Sequence, residues 1–459
     1  MTELKISFNE EIGRFSQVLK DGRIIMVMAD PKHLKAAGDK ALEQGDLPLA
    51  LSFYDQTIAA SPQFYEAYYQ KGSVLLRMGK SIEAATMFWQ AYLFSQFKIE
   101  IGLMTAKTLA HAHYSFEACR LYETFEIDHI DPSSLAYYLY ALRQQGRIKH
   151  AYTLLPRLEH VHTPITNWAK ALIYLDMNQI EQARELLVPM EATDKDGSIA
   201  ILLHAVYLAL NNKTAIRSVL DNAIKRVSSP DYYCCQRIAL DILDKRNKTP
   251  IDTYRSFKRF DLIDAAHYLS KKAKKKLVCT GTTYQTFEEL APQVLKEGLI
   301  LEFGVRFGYS ISHLGTLFFD RKIFGFDSFQ GLPERWHHEH AGSYSTKGII
   351  PQLADNIELI AGWFNETLPD FKQKHPEPVA FINIDCDLYS STKLVLDELT
   401  EQIIPGTIIV FDEYIGNTNW RQDEFKAFQE WTQNNKVTYR YLTASFYTKQ
   451  VSVQIINKK

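Results

Sequence analysis

The sequence contains no apolar run approaching the ~20 residues that a bilayer span requires. Its opening, MTELKISFNEEIGRFSQ, lacks the basic-then-apolar order of a secretory signal. Both absences lead to the expectation of a cytoplasmic protein with no membrane span. Cysteine is scarce as well. Cys119, Cys234, Cys235, Cys279 and Cys386 are the whole complement of 459 residues, and their spacing matches neither a zinc site nor a disulfide framework. Reduced structural thiols are the expectation. Nor does one sign of charge dominate: the net charge is -2, which gives no reason to expect nucleic acid or an anionic membrane surface as a partner. What remains is ordinary globular composition, 46% apolar and 23% charged. The chain is too long for one hydrophobic core, which implies two or three domains.

The N-terminal half repeats itself. AAGDKALEQGDLPLALSFYDQTI (36–58) aligns with QKGSVLLRMGKSIEAATMFWQAY (70–92). Gly38 matches Gly72, Gly45 matches Gly79, Ala50 matches Ala84, and Tyr54 matches Phe88, each pair 34 residues apart. The alanine slot continues at Ala118, Ala151, Ala183 and Ala215, in steps of 34, 33, 32 and 32 residues. The Gly38 slot becomes Ala106, and the Gly45 slot becomes His113, Gly146 and Asn178. Such a period belongs to helix–turn–helix units whose small residues let antiparallel helices approach closely. Glycine near position 45 suits the turn, and the aromatic near Tyr54 fills space between neighbouring units. No unit buries its apolar face alone, so a stack is expected. The pattern resembles the tetratricopeptide repeat family, with about six units over residues 30–228. Such repeats imply a peptide, protein or substrate partner, or dimerisation.

Residues 229–280 read as a helical linker or cap. The lysines of KKAKKK (271–276) fit a solvated helix end better than a phosphate-binding patch. Beyond residue 298 the pattern alternates. LILEFGV, KIFGFDS, IELIAGWF, VAFINIDC and GTIIVFDEY read as buried strands, and YSISHLGTLFF, STKLVLDELTEQI and DEFKAFQEWTQNN as helices. Near-continuous apolar strands with helical crossovers imply a parallel sheet covered on both faces. TYRYLTASF and QVSVQIINK, joined by YTK, read as a closing hairpin. Five parallel strands and a hairpin with one reversed strand is the layout of a class I, Rossmann-like methyltransferase fold.

Ligands in such sheets bind beyond the carboxyl ends of the strands. Three candidate stretches lie there. Glu302, Gly304 and Gly308 form E-x-G-x-x-x-G, which permits a tight strand-to-helix turn but is not the dinucleotide fingerprint. Asp327, followed by Ser328, ends the next strand, where a carboxylate can accept ribose hydroxyls. Asp385 and Asp387 end a fourth strand and Asp412 and Glu413 a fifth, so four carboxylates are expected on one rim. Such crowding raises pKa values, and Mg2+ would relieve it. Asp387 is alternatively a cap for the following helix.

Taken in order, LEFGVRFGYSI, GFDSFQGLPERW, GWFNETLP, IDCDLYSST and IIVFDEY resemble the macrocin O-methyltransferase (TylF/MycF/NovP-like) family over residues 280–457. The resemblance implies a methyltransferase domain at 281–459 that uses S-adenosyl-L-methionine and Mg2+ to methylate a hydroxyl of a sugar, glycan-like or natural-product acceptor. It implies cofactor contacts from Glu302, Gly304, Gly308, Asp327, Ser328 and Asp385. It also implies a metal site at Asp385, Asp387, Asp412 and Glu413, with Asp385 and Asp412 catalytic. Two departures stand out. The family's DGD is Asp385-Cys386-Asp387 here, and its DDY is Asp412-Glu413-Tyr414. His337, His338 and His340 lie in a loop that a lid would need, although no base is singled out. Two other readings compete: a glycosyltransferase holding its metal through D-x-D, and a repeat scaffold with a retired enzyme domain.

Overall fold

The computed structural model describes the backbone of residues 6–9, 14–18 and 24–28, and residues 30–273 and 277–458 in full. The chain falls into two compact units, Met1–Asp176 and Met177–Lys459.

The first unit opens with an antiparallel meander of β1 (Ile6–Asn9), β2 (Arg14–Val18) and β3 (Ile24–Met28). Sequence alone assigned no strand there. Helix–turn–helix pairs follow: α1 (Pro31–Glu43) with α2 (Leu47–Ala60), α3 (Tyr65–Arg77) with α4 (Ser81–Phe94), α5 (Ile99–His111) with α6 (Ser115–Tyr122), and α7 (Pro132–Gln144) with α8 (Ile148–Leu154). Helix α9 (Pro164–Asp176) closes the unit. Local chemistry starts the helices. The Asp30, Asp46 and Asp131 carboxylates accept backbone N–H bonds at the starts of α1, α2 and α7, each one or two residues before a proline that costs no helical bond. The turns are left-handed at Gly45 (φ +81°), Gly79 (φ +76°) and Gly146 (φ +69°), where glycine avoids the Cβ penalty, and also at His113 (φ +64°), which bears it. Gly38 lacks a side chain for a reason of packing: a Cβ there would lie 2.6 Å from the Tyr54 ring of its own hairpin.

The second unit starts with α10 (Ile180–Leu187), α11 (Ser198–Ala209), α12 (Lys213–Arg226), α13 (Asp231–Leu243) and α14 (Phe260–Lys272). The left-handed turn residue recurs at Asn178, Asn211 and Lys245. One sequence assignment is corrected here. Ala50, Ala84, Ala118, Ala151 and Ala183 are fully buried at the fourth position of their helices. In α12 that position is Ile216, 1% exposed, and Ala215 is only half-buried beside it. Of the basic run at 271–276, Lys271 and Lys272 end α14, and residues 274–276 lie outside the described residues.

The α/β part comprises β4 (Val278–Cys279), α15 (Thr283–Leu290), β5 (Leu299–Phe303), α16 (Tyr309–Leu317), β6 (Ile323–Asp327), β7 (Ile357–Ala361), α17 (Phe364–Lys374), β8 (Val379–Ile384), α18 (Tyr389–Glu398), β9 (Ile403–Phe411), α19 (Glu424–Asn434), β10 (Thr438–Ala444) and β11 (Val451–Asn457). The strands form one sheet in the order β4-β10-β11-β9-β8-β5-β6-β7. Strand β11 is antiparallel to both neighbours, while β5 to β9 run parallel. Apart from the short β4 edge, this is the class I methyltransferase layout expected from sequence.

Strand alternation sends residues to two cores. Leu299, Leu301 and Phe303 pack with residues of α13, α14 and α17 to α19, among them Cys235, Leu262, Phe371, Leu396 and Phe428. Ile300 packs on the other face with Phe287 of α15 and Ile311 and Leu314 of α16. Each such fully buried side chain contributes about 1.5–3 kcal/mol. The chain crosses between β5 and β8, and the strand ends on either side of that switch frame the site. The five cysteines form no disulfide. Among the described residues no helix is long and apolar enough to cross a membrane.

Candidate active site

A cavity of about 600 Å3 lies at the carboxyl ends of β5, β6, β8 and β9. Gly304, Asp327, Ser328, Asp385, Asp387, Asp412 and Glu413 all line it, so most of the residues singled out in the sequence converge on one space. Glu302 and Gly308 are not in its wall. Glu302 is completely buried, with Ser310 Oγ donating to Oε1 at 2.8 Å and Asn383 Nδ2 donating to Oε2 at 3.0 Å. Gly308 (φ +81°) precedes α16, and a Cβ there would meet the Leu353 side chain at 2.8 Å.

The turn after β5 is built for close approach. Gly304 has φ +93°, and a Cβ on it would fall 1.7 Å from the Asp385 carbonyl oxygen. This glycine therefore holds the end of β5 against the end of β8. Asp327 ties the neighbouring turn in place. Its Oδ2 accepts the Arg306 N–H at 2.7 Å and its Oδ1 accepts the Phe329 N–H at 2.6 Å. The Arg306 guanidinium lies 5.1 Å from the centre of the Tyr344 ring, and both residues line the cavity.

Burial and mutual repulsion act together on the acids. Burial pushes Glu302 up to about 8, against the favourable bonds from Ser310 and Asn383. Asp385 is held well above the usual carboxylate range by burial, then by the Asp412, Asp387 and Glu302 charges. Burial first and Glu413 second raise Asp387 to about 7, and the same causes raise Asp412 to about 7. Asp387 does not cap α18: the cap residue is Leu388, with no side-chain cap bond. Instead Asp387 adopts φ +62° and enters the cavity wall.

Three partners of these acids went unnoticed in the sequence. Gln450 Nε2 donates to Asp412 Oδ1 at 2.5 Å. Lys449 Nζ reaches both Glu413 oxygens, at 3.1 and 3.0 Å, and Asn417 Nδ2 donates to Glu413 Oε2 at 2.6 Å. Strand register was the signal. Val451 pairs with Phe411, so the two residues before β11 stand beside the two residues after β9. The histidines of the 337–340 loop do not line the cavity, and His337 Nε2 lies 2.9 Å from Asp423 Oδ2.

Residues 301–414 match a protein family described as "Methyltransferase domain". Over 116 residues the chain is 29% identical to the 8-demethyl-8-(2,3-dimethoxy-alpha-L-rhamnosyl)-tetracenomycin-C 4'-O-methyltransferase of Streptomyces olivaceus. That match covers 20% of this chain and 42% of the relative, so the chain spans about two-fifths of the relative's length. Among solved structures, the calicheamicin methyltransferase CalS11 is similar at 20% identity, over 48% of this chain and 90% of that one, with a TM-score of 0.31. A tetratricopeptide repeat protein from Parabacteroides merdae is similar at 13% identity, over 52% and 98%, with a TM-score of 0.42. Residues 301–414, which match the methyltransferase-domain family, thus lie behind a region of helical repeats.

Proposed function

We propose that this protein is an S-adenosyl-L-methionine-dependent O-methyltransferase acting on a hydroxyl of a sugar, glycan-like or natural-product acceptor. One observation carries the proposal: the Gly304 turn, Asp327 and the Asp385–Asp412 rim border a single cavity at the switch point of a methyltransferase-family sheet. The residues fit the cofactor. Gly304 and Asp327 both line the cavity, and Asp327 stands at the end of the strand next to the glycine turn, where ribose hydroxyls can be held. When bound, the cofactor supplies an electrophilic methyl group.

The chain's own groups do the remainder. The rim aligns the acceptor oxygen. Asp412, with a pKa near 7, would take the proton of the acceptor hydroxyl as its oxygen gains the methyl group and the bond from that methyl to the cofactor's sulfur breaks, leaving a neutral thioether. Asp385 orients that hydroxyl from the adjoining strand end. The Asp412→Asn variant is expected to lose roughly 100-fold in transfer of labelled methyl to a panel of sugar glycosides. Full activity in that variant would reject the role. Titration with a nucleotide sugar tests the glycosyltransferase alternative, and binding of it in place of S-adenosyl-L-methionine would favour that reading.

Mg2+ was expected from the family resemblance, and the donors as arranged do not fit it. Glu413 is already engaged by Lys449 and Asn417, and Asp412 by Gln450. Among the described residues, no three Asp, Glu, His or Cys side chains gather closely enough to hold a metal ion. We assign the repeats of residues 30–228 to binding a partner or substrate, or to self-association. We treat residues 229–280 as a cap and 281–459 as the catalytic domain. The shared core of Cys235, Leu262 and Ile263 with the sheet supports that role for the cap.

A further inference from the structure

We propose that the Lys449 ammonium is a built-in cation that takes the place of a divalent metal at the acidic rim, so that the site works without one. This inference rests on the methyltransferase reading of the cavity. It begins with backbone register. The pairing of Val451 with Phe411 fixes Lys449 beside Glu413, one position beyond Gln450 and Asp412. The lysine is then locked locally. Its carbonyl accepts the Ile415 N–H at 3.3 Å, and its stem crosses Gly416, where a Cβ would come within 3.0 Å of Lys449 Cγ. A side chain at 416 would thus press on the lysine stem.

The charge pattern agrees with this placement. Lys449 meets both oxygens of Glu413, and its charge also favours ionised Asp387 and Asp412. A divalent ion drawing on Glu413 or on Asp412 Oδ1 would have to displace Lys449, Asn417 or Gln450, and would be repelled by the ammonium. Glutamate at 413 suits the arrangement because its longer side chain reaches the lysine. Lys449 is absent from the cavity wall. It is therefore a positioning residue, acting through Glu413 and the rim field.

The test is Mn2+ binding to the intact chain, followed by electron paramagnetic resonance, with S-adenosylhomocysteine calorimetry run in parallel. Wild type is expected to show no Mn2+ site at the rim, and its S-adenosylhomocysteine affinity should be the same in EDTA and in excess Mg2+. Lys449→Met, which keeps the stem and removes the charge, should gain Mn2+ affinity by about tenfold or more. That gain should vanish when Asp412→Asn is added, and Lys449→Arg should behave as wild type. A stoichiometric Mn2+ site in wild type that Asp412→Asn abolishes would overturn the proposal. So would a Lys449→Met protein with no gain in Mn2+ binding. Failure of wild type to bind S-adenosylhomocysteine would count against the methyltransferase reading alone, because the Mn2+ signal does not depend on it.

Discussion

Glu302 shows how a single carboxyl connects stability to the site. Its ordinary pKa is 4.5 and burial raises it to about 8 in the fold. The folded state therefore binds more protons than the unfolded state between those values. The stability this adds is fully present below pH 4.5 and is lost as pH rises through 8. Asp385, Asp387 and Asp412 are shifted the same way and steepen the trend. Glu302→Gln keeps an acceptor for Ser310 and removes the titration. Urea unfolding at pH 9 should find this variant more stable than wild type by a few kcal/mol, roughly the size of a multi-unit shift. The difference should shrink towards zero at pH 4.5. A constant difference across that range would contradict the assignment. The carboxylates were legible because acids at the ends of apolar strands are conspicuous. Lys449 and Gln450 were not, because their partners lie across the sheet, and only the β11–β9 register brings them together.

At the level of elements, the repeat period was readable wherever glycine marks the turn. It became harder to read where His113, Asn178, Asn211 and Lys245 adopt the same left-handed conformation without being glycine. An alanine one position too early hid the true slot in α12, where Ile216 is the buried residue. Helix α17 escaped notice for a different reason: Pro369 sits inside it, lacks the N–H of a helical bond and reads as a breaker. Strands β5, β6, β8 and β9 were plain in the sequence because burial on both faces leaves nearly unbroken apolar runs, whereas β7, read as a buried strand, lies at the sheet edge with no fully buried residue. The hairpin contact at Gly38 gives a direct test. Gly38→Ala places a methyl 2.6 Å from the Tyr54 ring, so the ring must shift. A loss of about 1–3 kcal/mol is expected in denaturant unfolding of the first unit. Adding Tyr54→Leu should recover part of that loss if the clash is the cause, whereas full additivity of the two changes would argue against it.

For the whole molecule, the decisive property is whether the cavity at the β5–β8 switch holds the methyl donor. Ligand linkage makes this visible without knowing the acceptor. Saturation of a site to 100 times its Kd stabilises the folded state by about 2.7 kcal/mol. The transition that includes the α/β part should therefore move to higher temperature on adding S-adenosylhomocysteine. The most direct measurement is calorimetric titration of S-adenosylhomocysteine into the intact chain and into its Asp327→Ala variant. One site per chain is predicted for wild type, with affinity falling roughly 10–100-fold when the Asp327 carboxylate is removed. Absence of heat with wild type, or equal affinity in both proteins, would contradict it.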